Sequence, residues 1–302
     1  MGRETTGERR TLGLALLSLI TLIYVTACGE LIDPGPLQFD GERAYEHVVT
    51  QCDFGFRPTG SAALRATGDF IIDELAEYGW TTEEQAFVYR DTPVRNLIAR
   101  PEGADGGEAS DDIIILGAHY DTRRSADRED PSVPVMGAND GASGVAVLLE
   151  LARTLDLERV DESIWLAFFD AEDNGNLDGW SYCVGSEYMA EHLTVTPAAV
   201  VVVDMVGDAD QQLYLERNSD PDLQRELWEI GAELGYADVF ISEYKFSIYD
   251  DHVPFAQRGI PAVDIIDFDY PYWHTTQDTP DKVSGESLER VGRVLETWLE
   301  AE

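Results

Sequence analysis

The stretch SIWLAFFDAED (residues 163–173) runs from an apolar segment directly into three carboxylates, Asp170, Glu172 and Asp173. Its first part has the near-continuous apolar character of a strand that is buried on both faces of a sheet. An unpaired carboxylate costs free energy when it is buried, so a buried strand does not usually end in a group of acids. The stretch therefore predicts either a solvated turn that these acids cap or a site where they face a cation.

The segments around this strand alternate between apolar runs and amphipathic helices. The other predicted strands are 96–100, 113–119, 198–206 and 262–268, and the predicted helices are 142–155, 181–193, 222–235 and 286–301. Such alternation is typical of an α/β protein with a largely parallel sheet that helices cover on both faces. The polar segment 101–112 is interpreted as a hairpin loop inside one domain. In these folds ligands bind at the carboxyl ends of the strands.

Potential metal ligands follow several of the predicted strands. They are His119 and Asp121 in GAHYDT, Asp140 in GANDGASG, Asp204 in VVVDMVGD and His274 in YPYWHTTQDT. Singly, each has an ordinary structural alternative, since Asp140 could cap the following helix and Asp204 could cap a strand end. Two histidines and several carboxylates are a donor set that Zn²⁺ prefers. Their joint placement predicts a metal site that also takes in the acids after Phe169.

These motifs also occur in an order that resembles a known family. HYDT (119–122), GANDGASG (137–144), the acidic pair after an aromatic strand, DDHVPF (250–255) and WHTTQDTPD (273–281) are similar to the M28 family of zinc aminopeptidases and the related glutaminyl cyclases. The resemblance covers about residues 45–300. It implies a single-domain α/β/α sandwich on a twisted mixed, mostly parallel sheet, with residues 43–302 as the zinc-dependent catalytic domain.

The resemblance also implies which residues bind metal. In the two-zinc members the corresponding positions assign His119 and Asp204 to one ion, Asp173 and His274 to the other, and Asp140 to a bridge between them. Family members often carry Glu where this chain has Asp173. The backbone must therefore bring this shorter acid closer to the ion.

Three further acids would serve catalysis. By the resemblance, Glu172 is the general base, which a carboxylate beside a metal-activated group is suited to be. Asp121 would orient the imidazole of His119 and fix its tautomer. Asp251 in DDHVPF would join a hydrogen-bond network with the base.

Two reactions share this scaffold. An aminopeptidase uses two zinc ions to direct water at the first peptide bond, and the GAHYDTR, GANDGASG and HTTQDTPDKV segments favour it. A glutaminyl cyclase uses one zinc ion, on Asp140, Asp173 and His274, to form N-terminal pyroglutamate and release ammonia. FFDAED and DDHVPF favour the cyclase, as do Trp273 and Trp180 as walls of a substrate pocket.

We expect the aminopeptidase first and the cyclase as its alternative. Peptides with a free N-terminus are the expected substrates of both. A non-catalytic, peptide-binding lipoprotein on the same fold is an alternative from another class.

The charge of the chain restricts its partners. Asp and Glu total 59 against 21 Lys and Arg, which gives a formal net charge of −38. A protein this acidic repels phosphate groups, so we expect neither nucleic acid nor an anionic membrane surface as a partner. Contact with a membrane is expected only through an N-terminal lipid.

Residues 1–27 are typical of a bacterial export signal. Basic residues precede the apolar run LGLALLSLITLIYV (12–25), and VTAC (25–28) resembles a lipobox whose Cys28 becomes the lipidated first residue. The Pro, Gly and acid content of residues 28–42 indicates a tether. We therefore expect an exported, membrane-anchored lipoprotein of the cell envelope or one that faces the periplasm. The sequence leaves open whether Cys52 and Cys183 pair or remain buried thiols.

Overall fold

A computed structural model describes residues 38–103 and 113–300 of the chain. The predicted export signal, Cys28 and residues 29–37 of the predicted tether lie outside the described residues. The first helix begins at Gly41 and is capped by Asp40, so the last residues of the predicted tether belong to the folded domain. Among the described helices, none is both long and apolar enough to cross a bilayer.

Eight strands are present in the described residues. They are β1 (Trp80–Tyr89), β2 (Thr92–Pro101), β3 (Ile113–His119), β4 (Ser163–Phe169), β5 (Ala199–Asp204), β6 (Leu213–Glu216), β7 (Phe240–Phe246) and β8 (Ala262–Ile266). Six of them form one sheet in the order β1-β2-β4-β3-β5-β8, and β6 pairs with β7 in a separate ladder. Strands β3, β4, β5 and β8 run parallel, while β1 and β2 form an antiparallel edge. The sheet is therefore mixed and mostly parallel, as predicted.

The interpretation of residues 101–112 as a hairpin loop is wrong. Strand β4 lies between β2 and β3, and it pairs with both. Because β4 is apolar almost throughout, it takes an inner position in the sheet rather than leaving its neighbours to pair directly. A polar loop between two strands does not by itself determine that the strands are neighbours.

Helices cover both faces of the sheet. They are α1 (Gly41–Asp53), α2 (Ala62–Glu77), α3 (Ala142–Thr154), α4 (Val184–His192), α5 (Pro221–Glu233), α6 (Val253–Ala256) and α7 (Gly285–Leu299), with a short 3₁₀ helix at Pro280–Lys282. One face packs against apolar side chains of α1, α2, α3, α5 and α7. The other packs against α4 and α6. The α/β/α sandwich expected from the sequence is confirmed.

The parallel strands determine where a site can form. Strands β3, β4, β5 and β8 all end at the same edge of the sheet, and their last residues are His119, Phe169, Asp204 and Ile266. The chain leaves this edge in loops that carry the remaining candidate residues.

Candidate metal centre

His119, the last residue of β3, lies between two acids from different segments. Its Nε2 atom is 3.1 Å from Oδ1 of Asp204, at the end of β5, and 3.3 Å from Oδ1 of Asp140. Its Nδ1 atom is 3.1 Å from the backbone oxygen of Asp121. A carbonyl only accepts hydrogen bonds, so this contact places the proton on Nδ1 and directs the Nε2 lone pair toward the two acids.

A second group of donors lies on the other side of Asp140. Nε2 of His274 is 3.0 Å from Oδ1 of Asp173 and 3.8 Å from Oδ2 of Asp140. Nδ1 of the same imidazole is 3.4 Å from Oδ1 of Asp127. The two oxygens of Asp140 therefore face different histidines, which is the placement expected of a bridging ligand.

The two groups form two triads of possible ligands that share Asp140, one of His119, Asp140 and Asp204 and one of Asp140, Asp173 and His274. Within each triad the ligand atoms lie within 4.8 Å of one another. Oδ2 of Asp140 and Oδ2 of Asp173 are buried and have no hydrogen-bond partner among the described residues. Buried acceptors of this kind are costly unless something positive lies against them. Imidazole and carboxylate donors with unfilled acceptor sites fit a zinc ion.

The structural alternative for Asp140 does not apply. The residue that caps α3 is Gly141, which has a φ of +102° and makes no side-chain capping bond. The backbone of this loop is held from two sides. The Asp278 carboxylate accepts from the N–H groups of Asn139 (2.8 Å) and Asp140 (3.1 Å). The buried guanidinium of Arg57 donates to the backbone oxygen of Gly137 at 2.7 Å.

Glu172 and Asp173 lie on a tight turn after β4, and Asp121 holds that turn. Its Oδ1 accepts from the N–H of Glu172 at 3.0 Å, and its Oδ2 faces the N–H of Asp173 at 3.4 Å. The turn passes through Ala171 at a φ of +64°. Asp121 thus orients His119 mainly through its backbone oxygen, while its carboxylate, 3.6 Å from the imidazole, serves the turn.

Glu172 is buried among other acids. Burial and then the carboxylate of Asp250 raise the pKa of Glu172 well above its usual range, against the opposing effect of His119. Burial and the Asp140 carboxylate raise the pKa of Asp173 to about 6. These shifts have the sign expected where several acids share too little positive charge. Carboxyl groups with strongly shifted pKa values are concentrated at functional sites.

Asp251, predicted to join a network with the base, is fully buried and accepts from the hydroxyl of Ser186. Its neighbour Asp250 lines the site cavity instead. The Sγ atom of Cys183 lies 3.5 Å from Oε1 of Glu172. Cys183 and Cys52 are both buried free thiols, so they do not pair with each other.

A cavity of about 260 Å³ opens beside the second triad. Apart from the acids and His274, its walls are mainly aromatic and aliphatic: Tyr182, Met205, Phe246, Ile248, Tyr249, Ile266, Phe268 and Trp273. Trp273 lies where the sequence pattern placed it. Trp180 does not line this cavity and instead packs edge-on against Tyr89 at a ring distance of 5.1 Å.

Several contributors to the site were not identified from the sequence. Phe246 and Ile248 lie in a segment that the sequence pattern assigns to no element, and Phe268 ends the predicted strand 262–268 with no sign that it reaches the site. Asp278 belongs to the WHTTQDTPD motif together with the proposed ligand His274, and this shared motif was a usable signal. Arg57 has no sequence signal, because its partners are backbone oxygens far along the chain.

Comparison with known proteins gives a consistent family. A model described as Peptidase family M28 matches residues 96–299. Glutaminyl-peptide cyclotransferase from Bos taurus is 27% identical over 228 residues, which are 62% of this chain and 61% of that protein. The chain thus matches less than two thirds of this relative's length.

Two solved structures match over nearly their whole length. The leucine aminopeptidase precursor from Bacteroides thetaiotaomicron has a TM-score of 0.82 and 30% identity, covering 90% of this chain and 99% of that one. Porphyromonas gingivalis glutaminyl cyclase has a TM-score of 0.80 and 33% identity, covering 86% of this chain and 98% of that one.

Proposed function

The chain belongs to peptidase family M28, and from this premise we propose that it is a zinc-dependent enzyme that acts on peptides with a free N-terminus. The reaction that the site supports best is the cyclisation of an N-terminal glutamine to pyroglutamate. Hydrolysis of N-terminal residues is the second candidate. We rank the cyclase first because of the cavity beside the proposed metal ligands, whereas the sequence motifs favoured the aminopeptidase.

The observation that carries the cyclase proposal is the cavity whose mainly apolar wall lies beside Asp140, Asp173 and His274; Asp204 of the other triad also lines it. Cyclisation requires the amine and the side-chain amide of one residue to meet in one confined space. We expect an aromatic and aliphatic wall to hold the folded side chain and to reduce the access of water to it. Exclusion of water favours attack by the peptide's own amine over hydrolysis.

The residues then have distinct roles. Asp140, Asp173 and His274 would hold a zinc ion, which polarises the side-chain amide when bound. Glu172 takes a proton from the N-terminal amine as its nitrogen bonds to the amide carbon. The same carboxyl group returns a proton to the departing nitrogen, which leaves as ammonia. Burial, which raises the pKa of Glu172, suits a group that must both hold and release a proton.

The second candidate rests on the other triad. His119 and Asp204 lie close to Asp140 in the same way as Asp173 and His274 do, so two metal ions could share Asp140 as a bridge. Glu172 would then take a proton from water, and the first peptide bond would be hydrolysed. His119 and Asp204 would be ligands in this case and supporting residues in the cyclase.

Mass spectrometry of one reaction separates the candidates. The zinc-loaded full-length protein is incubated with three peptides that begin with Gln, Leu and Ala, and the metal content of the protein is measured in parallel. Loss of ammonia from the Gln peptide alone, with one zinc per chain, is the expected result. Shortened peptides with two zinc ions per chain would establish the aminopeptidase instead.

The variant Glu172→Ala tests whether the protein is an enzyme at all. An enzyme should lose nearly all turnover in this variant and retain zinc. If no peptide changes with the wild-type protein, and peptides bind equally to the wild type and the variant, the non-catalytic binding protein is the better account.

We also propose that the protein is an exported lipoprotein, anchored through Cys28. The basis is the sequence of residues 1–28 alone. Mass spectrometry of the mature N-terminus tests this: a diacylglyceryl group on Cys28 is expected in the wild type. The variant Cys28→Ala should lack the lipid and leave the membrane fraction.

A further inference from the structure

An arginine lies at the rim of the cavity beside the proposed metal ligands. Trp273 lines that cavity and is partly exposed, so its ring also forms part of the rim. The guanidinium carbon of Arg128 lies 4.3 Å from the centroid of this ring, and the Arg128 residue is exposed to solvent. A cation–π contact uses the face of the guanidinium. The N–H groups at its edge therefore remain able to donate hydrogen bonds.

Contacts of three consecutive residues fix Arg128 relative to the loop that carries His274. The backbone N–H of Arg128 donates to the backbone oxygen of His274 at 3.3 Å. On one side of it, Oδ1 of Asp127 is 3.4 Å from Nδ1 of His274. On the other side, Oε2 of Glu129 accepts from the N–H of Thr276 at 2.8 Å. The arginine is thus attached at the rim through its own backbone and through both of its neighbours.

Arg128 differs from the basic residues around it because it has no acidic partner. The other basic residues of the segment 123–130, and Lys245 beside the cavity wall, form the ion pairs Arg123–Asp127, Arg124–Asp178 and Lys245–Asp269. Among the described residues, no carboxylate forms an ion pair with Arg128. Acidic residues outnumber basic ones by 59 to 21 in this chain, so an arginine left without one is unexpected. Its planar group of donors matches the two oxygens of a carboxylate.

The position of Arg128 is within reach of a bound peptide. The cavity has a volume of about 260 Å³, which is small for a ligand pocket and suits one side chain rather than a whole peptide. The ring of Trp273 lies 3.9 Å from the imidazole of His274 and 4.3 Å from the guanidinium, so a single indole separates the proposed ligand from the cation. An extended peptide advances about 3.5 Å per residue, so its second or third residue spans this width.

We propose that Arg128 binds a carboxylate on the second or third residue of the peptide substrate. The proposal rests on the proposed action on peptides with a free N-terminus, but it does not depend on which of the two reactions occurs. The carboxylate belongs to an acidic side chain or to the C-terminus of a short peptide, since both present the same pair of oxygens. Arg128 is then a specificity residue that selects acidic peptides in spite of the negative net charge of the protein.

Kinetics with matched peptides test the proposal on the zinc-loaded full-length protein. Gln-Glu-Ala-amide and Gln-Gln-Ala-amide differ only in one carboxylate. We expect kcat/KM to be about 3- to 10-fold higher for the acidic peptide, and the difference to lie in KM, because the pair is remote from the reacting atoms. Gln-Ala with a free C-terminus and Gln-Ala-amide form the second pair. The pair that shows the larger preference identifies the source of the carboxylate.

Three variants assign the preference to one side chain. Arg128→Gln should bring the ratio within each pair to about one by raising KM for the acidic peptide alone. Arg128→Lys keeps the charge without the planar group and should retain part of the preference. Arg124→Gln is the matched control, because Arg124 lies on the same segment and over the ring of Trp180, but is paired with Asp178 and lies outside the cavity. It should show the full preference.

Calorimetry separates this proposal from the proposed reaction. The zinc-loaded variant Glu172→Gln should bind these peptides without converting them, so the preference is also measured as a ratio of dissociation constants. Peptides that begin with Leu replace those that begin with Gln where hydrolysis is the reaction found. A preference in binding without any turnover would overturn the proposed reaction and support the role of Arg128.

Three results would overturn the role of Arg128. They are the absence of a preference in both pairs of peptides, a full preference in Arg128→Gln, and an equal loss of preference in Arg124→Gln. The last result would mean that the overall charge of the segment, rather than the guanidinium over Trp273, attracts the acidic peptide.

Discussion

Two groups of buried acids in this molecule differ in how they are partnered. In the helical layer, Glu150 is fully buried and accepts from the N–H of Asp40 at 2.9 Å and from the guanidinium of Arg153 at 2.6 Å. Glu300 accepts from the N–H of Asp156 and from Arg159. The oxygens of these acids are satisfied within the protein, and their burial connects segments that are distant in sequence.

A second group of buried acids lies on loops near the carboxyl edge of the sheet or, for Asp264, inside β8, and it is partnered differently. Asp140, Asp173 and Asp251 each have a buried oxygen without a partner, and both oxygens of Asp264 lack one among the described residues. Such groups lower the free energy of unfolding rather than raise it. The contrast indicates that acids of the first group hold the fold, whereas Asp140 and Asp173 of the second group are retained for what they bind.

The largest effect should come from Glu172→Gln, which keeps the size of the side chain and removes its ability to accept a proton. Loss of a general base typically lowers turnover by about 10²- to 10⁴-fold. We expect that loss in the peptide assay, with zinc content and the urea denaturation midpoint close to those of the wild type. A variant that retained more than a tenth of the turnover would remove Glu172 from the catalytic role.

Zinc should stabilise the site end of the molecule. A ligand that binds only the folded state at 100 times its dissociation constant adds about 2.7 kcal/mol to the free energy of unfolding. We therefore expect a clear rise in the thermal midpoint when zinc is added to protein stripped with a chelator. Asp173→Ala should lose most of that rise, and an equal rise in this variant would mean that zinc binds elsewhere.

Glu150→Gln in the helical layer should lower the stability of the fold and leave turnover unchanged. The amide cannot accept well from both Arg153 and the N–H of Asp40, so a buried hydrogen bond is lost. Since Arg153 is partly exposed, we expect a cost of only about 2 kcal/mol in urea denaturation. Turnover at 25 °C should be unchanged, and a fall in turnover without a loss of stability would contradict the division into two groups.

The sequence predicts helices and strands well where they contain long apolar or periodic segments. Helix α3 is predicted at 142–155 and is found at Ala142–Thr154; nearly all of its side chains are buried, so its long apolar run locates it. The five proposed metal ligands come together because parallel strands end at one edge of the sheet. Strand order is less accessible, as the incorrect hairpin between β2 and β3 shows.

What the sequence could not predict depends on loops without a period. Residues 246–249, the end of β7 and the three residues after it, form one wall of the cavity through their backbone path, which no spacing reveals. Trp180 illustrates the reverse case, because proximity in sequence to Glu172 did not place its ring in the cavity. The backbone oxygen of Asp121 is the nearest partner of Nδ1 of His119, a contact to which the side chain of Asp121 gives no clue.

The smallest effect concerns Asp267, just after β8, where burial raises its pKa to about 7. An unfolded Asp has a pKa of about 3.9, so between roughly pH 4 and pH 7 the folded protein holds a proton that the unfolded chain has released. The free energy of unfolding should therefore fall as pH rises through this window, with a slope from this residue of at most about 1.4 kcal/mol per pH unit.

The variant Asp267→Asn cannot titrate, and its stability should depend less steeply on pH when urea denaturation is measured at several values between 4 and 7. In the wild type the Asp267 carboxylate accepts from the N–H groups of Gln212 and Asp269, and the amide oxygen of the variant can keep one of these bonds. Equal slopes for variant and wild type would mean that these two bonds already offset the cost of burial. The contrast between the two groups of acids would then be confined to the residues that face the metal site.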